Sequence, residues 1–104
     1  MAEAPVRIRA RKVGELTEIN VLMPHPMETG MRTDAAGQLV AAHFITEMTV
    51  TINGRTVLAA RLGLAVSRDP LLSFRCKGAQ RGDPVSVAWV DNAGGRRVDQ
   101  ATVV

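Results

Sequence analysis

The chain has 104 residues and a net charge of +3 at pH 7, and 46% of its residues are hydrophobic but only 3% are aromatic. This length supports one modest core, and no apolar run approaches the ~20 residues that a bilayer-spanning helix needs. The mild charge, the scattered arginines and the scarcity of aromatic side chains argue against a nucleic-acid surface. We predict a single domain over residues 1–104 that binds neither membrane nor nucleic acid.

The first two predicted strands alternate apolar and polar side chains. Val6 and Ile8 share one face of the first strand, which is the period of a half-buried strand. The N-terminus lacks the continuous apolar stretch of a secretion signal, which by itself predicts a cytoplasmic protein or one exported indirectly. Residues 12–14 turn the chain into a second strand over 15–23. One face of that strand carries Thr17, Ile19, Val21 and Met23, and Leu16 and Leu22 on the other face predict that it is covered on both sides.

A histidine between two prolines then ends the regular pattern. Pro24 and Pro26 fix their own φ angles and push the residues before them towards extended geometry, and Gly30 permits a turn at positive φ. No sustained period follows until about residue 40, and a connection of roughly 17 residues is long for a loop. We predict a stiff loop with a preset shape, which either projects to bind a partner or folds back over one end of its own domain.

The clearest pattern is a β-hairpin over residues 44–62. Asn53-Gly54 supplies the two residues that a type I′ turn prefers, and residues 55–62 form the returning strand. The alternation places five side chains on one face of the first strand: Phe44, Thr46, Met48, Val50 and Ile52.

Three more strands follow. Leu72, Phe74 and Cys76 share a face of the first, so Cys76 is predicted to point inward, and Val85, Val87 and Trp89 alternate in the second. Residues 96–104 form the last. About seven short strands without a long amphipathic helix indicate an all-β fold, an immunoglobulin-like antiparallel β-sandwich. The single cysteine excludes an internal disulfide.

A metal site is one functional hypothesis for these residues. His25, His43 and Cys76 are candidate ligands, since redox copper or iron sites on β-sandwiches use such side chains. The run His25-Pro26-Met27 resembles part of the iron-binding loop of superoxide reductases. That family uses four histidines and one cysteine, and this chain has two histidines, so the site is incomplete. The alternative assigns His25 to a loop, His43 to a strand start and Cys76 to the core. We predict no metal, no cofactor and no catalytic residue.

The sequence as a whole resembles the SoxZ family of bacterial thiosulfate oxidation. The resemblance rests on His25-Pro26-Met27-Glu28-Thr29-Gly30, Arg32, Asp34, Gly37, Asn53-Gly54, Ser67-Arg68-Asp69-Pro70, Leu72, Phe74 and Trp89-Val90-Asp91-Asn92. It implies a non-catalytic sandwich subunit that pairs with SoxY, whose C-terminal cysteine carries the sulfur intermediates and is served by other sulfur-oxidation enzymes. It also implies the periplasm, reached by co-export with a signal-bearing partner.

The proline-flanked loop is the predicted contact with that partner. Its prolines have already removed backbone freedom, so docking costs little ordering entropy. Met27 and Met31 are its predicted exposed apolar side chains, and exposed strand edges are a second candidate surface. The predicted partner-binding residues are His25, Pro26, Met27, Glu28, Thr29 and Gly30.

Overall fold

The computed structural model describes residues 4–104, which form seven β-strands in two antiparallel sheets. No part of these residues forms a helix that could span a bilayer. The strands are β1 (Arg7–Val13), β2 (Leu16–Leu22), β3 (Ile45–Ile52), β4 (Arg55–Arg61), β5 (Leu71–Lys77), β6 (Pro84–Asp91) and β7 (Arg96–Thr102). The sheets have the orders β1-β2-β5 and β4-β3-β6-β7. This confirms the all-β, immunoglobulin-like sandwich of seven strands.

The core lies between the sheets and consists of alternate side chains from both. Thr17, Ile19, Val21 and Met23 are all fully buried, as their shared face predicts. Val85, Val87 and Trp89 of β6 oppose them with at most 1% exposure. Trp89 is the largest fully buried side chain. Because aromatic residues are scarce, the rest of the core consists mainly of aliphatic side chains.

The predicted hairpin between β3 and β4 is confirmed, with one correction in its first strand. Asn53 and Gly54 have φ angles of +54° and +81°, as a type I′ turn requires. The pairing of β3 with β6 shifts register between Ile45 and Glu47. This irregularity turns Ile45 into the core, whereas Phe44 and Thr46, predicted to share a face with the buried Met48, Val50 and Ile52, are only half-buried.

Strand β2 is covered on one face rather than both, contrary to the sequence-based expectation. Asn20 is exposed, and Leu16 and Leu22 are half-buried on the outer face of the sheet. The first strand also runs to Val13, beyond its predicted end. Inward-facing Cys76 is confirmed as a half-buried side chain packed against the core.

The sandwich is closed on one side and open on the other. The end of the chain bonds to β1, since the Lys12 N–H donates to the Val104 carbonyl and the Val104 N–H to that of Ala10, both at 2.9 Å. No backbone hydrogen bond joins β4 to β5 in the described residues, so both remain open edges.

Residues 28–43 form an arm that extends from one end of the sandwich. Its two sides pair at Glu28 with His43 and at Thr33 with Leu39, and residues 31–39 are all exposed. The Cα atoms span 53 × 22 × 19 Å, although an eight-residue strand is only about 27 Å long. The arm accounts for the remaining length, because the sandwich strands cannot.

Candidate functional site

One carboxylate joins both ends of the arm to the sandwich. His25 precedes the arm, His43 is its last residue, and Asp91 is the last residue of β6. Both imidazole Nε2 atoms contact the same oxygen, Oδ2 of Asp91, at 2.9 Å from His25 and 2.8 Å from His43. We call His25, His43 and Asp91 the anchor.

The hydrogen bonds of His25 define its tautomer. Its Nδ1 accepts the backbone N–H of Met27 at 3.1 Å, so Nδ1 presents a lone pair and the ring proton lies on Nε2. That proton is the one donated to Asp91. The ring also packs edge-on against Trp89 and His43, with centroids 5.1 and 4.6 Å away. The side chain is only 2% exposed, so its polar atoms are satisfied by protein groups rather than water.

A pair of hydrogen bonds between His25 and Asp69 adds to the backbone rigidity that the two prolines supply. The N–H of His25 donates to Asp69 Oδ1 at 2.9 Å, and the N–H of Asp69 donates to the His25 carbonyl at 2.9 Å. Asp69 adopts φ +52°, a left-handed conformation that this reciprocal pairing holds in place. Both the N–H and the carbonyl of His25 are therefore hydrogen-bonded to Asp69.

Asp91 accepts hydrogen bonds on both carboxylate oxygens. Besides the two histidines on Oδ2, the N–H groups of Ala93 and Gly95 donate to Oδ1 at 3.0 and 2.7 Å. Burial of the carboxylate disfavours its charge, but the bonds from His25, Gly95, His43 and Ala93 outweigh burial and lower the pKa of Asp91 from 3.8 to about 2. A fully ionised carboxylate therefore lies at the base of the arm at neutral pH.

The base of the arm is buried, which corrects part of the predicted exposure. Met27 was expected on the surface, but it is 6% exposed, and its sulfur accepts the N–H of Ile45 at 3.3 Å. It adopts φ +48°, unusual for a residue other than glycine. His25 is 4% exposed. The base of the loop therefore folds back onto its own domain, and its outer part projects into solvent. The two predicted alternatives, folding back and projecting, each describe one part of the loop.

The outer part of the arm carries the exposed apolar side chains. Met31 is 76% exposed, as predicted, and Leu39 is 70% exposed. Glu28 and Arg32 form an ion pair, with Arg32 Nη2 2.8 Å from Glu28 Oε1. The N–H of Val40 donates to the Arg32 carbonyl at 2.8 Å, so the two sides are joined as in a hairpin. In that register Met31 and Leu39 lie diagonally on the same face.

Among the residues that the structure describes, the three anchor residues have the spacing of a metal site, since their potential ligand atoms lie within 4.8 Å of one another. The His25 tautomer argues against a metal there. With Nδ1 already accepting an N–H, a metal on Nε2 would require loss of the remaining ring proton. The anchor is better described as a hydrogen-bonded cluster that holds the base of the arm.

The metal hypothesis named His25, His43 and Cys76 as candidate ligands, and the structure does not bring Cys76 to the two histidines. Cys76 pairs with Thr17 in the strand registers, whereas the arm begins beyond the opposite end of β2, after Leu22. Five residues of strand, about 17 Å, separate Cys76 from Leu71 at the arm end. Burial raises the pKa of the Cys76 thiol, with Arg55 opposing, so the thiol is protonated at neutral pH.

Asp91 is the functional residue that sequence reasoning missed. In the sequence it appears within the run Trp89-Val90-Asp91-Asn92 that carries the family resemblance, with no role assigned to it. In the structure it begins a turn, in which the Gly94 N–H donates to the Asp91 carbonyl at 3.4 Å. Its partners lie 66 and 48 residues away in the chain, and no local pattern connects them. A buried strand that ends on a carboxylate was the available signal, because buried charge needs partners.

Comparison with known proteins identifies the family. A sequence model described as "Sulphur oxidation protein SoxZ" matches residues 6–102, nearly the whole chain. The chain belongs to the SoxZ family. The SoxZ match includes the anchor and the entire arm, and it confirms the resemblance seen in the sequence. No curated protein matches this SoxZ-family chain by sequence.

The fold is shared with a solved protein outside the SoxZ family. A crystal structure of superoxide reductase in the oxidized state is similar, with a TM-score of 0.68 and 17% sequence identity. The similarity covers 100% of this chain and 90% of that one. At this identity the comparison establishes a common sandwich fold. Membership of the SoxZ family places the chain among sulfur-oxidation proteins.

Proposed function

We propose that this chain is a non-catalytic subunit that binds a SoxY-like sulfur-carrier protein and presents it to other sulfur-oxidation enzymes, in the periplasm after co-export with that partner. The observation that carries the proposal is the anchored arm, which exposes Met31 and Leu39 on one face. Large apolar side chains on an extended element favour contact with another protein. The SoxZ-family match supports the sulfur-oxidation role.

The anchor makes the arm suitable for tight binding. Three hydrogen-bonded side chains and the Glu28–His43 backbone pair fix its base, with N···O distances of 2.6 and 2.9 Å in that pair. Less conformational entropy is then lost when the arm docks than for a free loop. Of the predicted partner-binding residues, Pro26 is exposed and Glu28, Thr29 and Gly30 are half-buried, so they can contact the partner. His25 and Met27 would act by supporting them.

Co-expression with a SoxY-like carrier tests the proposal. We expect a one-to-one heterodimer that elutes as one peak in size-exclusion chromatography at micromolar concentration. Two separate peaks would contradict it.

The contribution of the arm is tested by Met31→Lys/Leu39→Lys. Both side chains lie outside the core, so the fold should persist, while loss of two apolar contacts and burial of two charges should raise the Kd at least about a hundredfold. Leu64→Lys/Val98→Lys is the matched control, since these side chains are 45% and 62% exposed elsewhere. Equal affinities of the two double variants, measured by calorimetry, would exclude the arm as the contact.

A further inference from the structure

The outer face of the three-stranded sheet is strongly basic. The registers align its outward side chains in four rows: Arg7–Leu22–Leu71, Arg9–Asn20–Ser73, Arg11–Glu18–Arg75 and Val13–Leu16–Lys77. We call this surface the basic face. Five of its side chains are cations and Glu18 is its anion, an excess of four positive charges, whereas the whole chain has a net charge of +3.

These cations are available to a partner. All five belong to exposed residues. Within residues 4–104, the ion pair on this face joins Arg11 and Glu18 at 3.9 Å, and those side chains are 70% and 38% exposed, so it neutralises little. The basic face therefore keeps a positive potential that attracts anionic groups at long range.

Apolar side chains are set among the arginines. Leu71 is 66% exposed, and with Leu22, Arg7, Arg9 and Asn20 it lines an open groove of about 500 Å³. Four of the five cations are arginines, whose planar guanidinium pairs with carboxylates in two hydrogen bonds and is enriched at protein interfaces. A mixture of arginine and leucine without aromatic side chains suits a protein surface better than a nucleic acid, which would favour stacking groups.

The opposite outer face has a different character. Two complete rows across the four-stranded sheet contain no charge: Ala59–Thr49–Ala88–Val98 and Thr56–Thr51–Ser86–Gln100. The third complete row, Arg61–Glu47–Val90–Arg96, carries two cations and one anion, an excess of one positive charge. The positive charge is therefore concentrated on the basic face, where the excess is four. Such asymmetry orients an approaching charged protein before contact and raises its association rate.

We propose that the basic face docks the acidic surface of a second protein, separate from the carrier that the arm binds. Carboxylates of that protein pair with Arg7, Arg9 and Arg75, and an apolar side chain enters the groove beside Leu71. Since the cations are solvated, the contact is weak, fast and dependent on ionic strength. This property suits an enzyme that must bind and leave repeatedly.

A fluorescent acidic peptide tests the proposal on the full-length chain. The probe is about eight residues of Asp and Glu with two leucines, long enough to span the ~20 Å between the first and last rows. We expect binding by fluorescence anisotropy at low ionic strength and its loss near ~0.5 M salt. Arg7→Glu/Arg9→Glu should raise the Kd about tenfold or more, because it replaces attraction by repulsion.

The control is Arg81→Glu/Arg96→Glu, which makes the same charge change at exposed residues outside the basic face. It should change the Kd less than about threefold. Arg7→Gln/Arg9→Gln, expected to weaken binding in the same direction, replaces the reversal if that variant does not fold. The proposal is overturned by no binding, by equal weakening in both double variants, or by tighter, face-dependent binding of a DNA duplex or phosphatidylglycerol vesicles. Carrier binding in size-exclusion chromatography should be unchanged, which separates this test from that of the arm.

Discussion

Asp91 is the residue on which the position of the arm depends. Its carboxylate accepts bonds from two imidazoles and two backbone N–H groups. In Asp91→Asn the amide oxygen can still accept the N–H groups of Ala93 and Gly95. The amide NH2 group then faces the imidazoles of His25 and His43, which are themselves donors. We expect a loss of about 3 kcal/mol in the free energy of unfolding, measured in urea at pH 7.

Asp34→Asn is the matched control for that variant. Asp34 lies at the tip of the arm, where its Oδ1 accepts the N–H groups of Ala36 and Gln38 at 2.9 and 3.0 Å. Asparagine retains that oxygen, so a change below about 0.5 kcal/mol is expected. Comparable losses in the two variants would show that the anchor contributes nothing special.

The lowered pKa of Asp91 also predicts how stability depends on pH. The folded state holds the pKa at about 2 and the unfolded state near 3.8, so the unfolded chain binds the proton more readily. The resulting stabilisation, about 2 kcal/mol, is complete above the unfolded pKa and is lost as the pH falls from about 4 towards 2. The stability difference between the wild type and Asp91→Asn should shrink in that range. A difference that stays constant down to pH 2 would refute the assignment.

Cys76 is a packing residue in this structure. It is half-buried among core residues, and burial raises its thiol pKa. Cys76→Ala should cost about 1 kcal/mol of unfolding free energy and leave carrier binding unchanged. Loss of carrier function in a folded Cys76→Ala variant would assign the thiol a chemical role.

At the scale of elements, the strands were predictable, whereas only the stiff, proline-flanked start of the arm was. Most of the strands alternate inward and outward side chains, which is a local pattern. The turn between β3 and β4 is likewise determined locally, by Asn53-Gly54. The arm has only isolated backbone pairs and no buried face of its own, so no period marks it. The irregularity at Ile45 was also invisible, because it depends on the partner strand.

Gly30 is the backbone position that the arm requires. It has φ +86°, and a Cβ there would lie 3.2 Å from the Ala42 Cβ on the opposite side of the arm. Gly37 has φ +79° but open space around it. We expect Gly30→Ala to cost about 2 kcal/mol and Gly37→Ala about 1 kcal/mol, since only the first adds crowding to backbone strain. Amide hydrogen exchange at Glu28 and His43 should accelerate in Gly30→Ala alone; equal exchange in both variants would contradict this.

For the whole molecule, the sandwich and the outer arm are separable. Residues 31–39 are exposed, whereas the anchor lies within the sandwich end. Replacing residues 33–39 by Asn-Gly should shorten the 53 Å molecule in small-angle scattering, leave the urea midpoint nearly unchanged and weaken carrier binding. A large fall in the midpoint would mean that the arm stabilises the fold.

The limits of sequence reasoning at this scale follow from distance along the chain. The fold class needed only local patterns, but the anchor unites residues 25, 43 and 91 through the complete topology. The sequence grouped both histidines with Cys76 only in the alternative hypothesis of a metal site, and Cys76 lies away from them. Its inward orientation was predicted correctly, but which end of the sandwich it occupies depends on strand register.

The shared Asp91 oxygen has a consequence for the inheritance of this chain. His25 without the carboxylate, or the carboxylate without its imidazoles, leaves a buried polar group unsatisfied, so a change at only one of the two positions is destabilising. His43 is 42% exposed and can bond to water instead. Descendants of a common ancestor should therefore keep or abandon positions 25 and 91 together. Lineages that abandon them should also lose the long arm, because the anchor is the contact that joins both of its ends to β6.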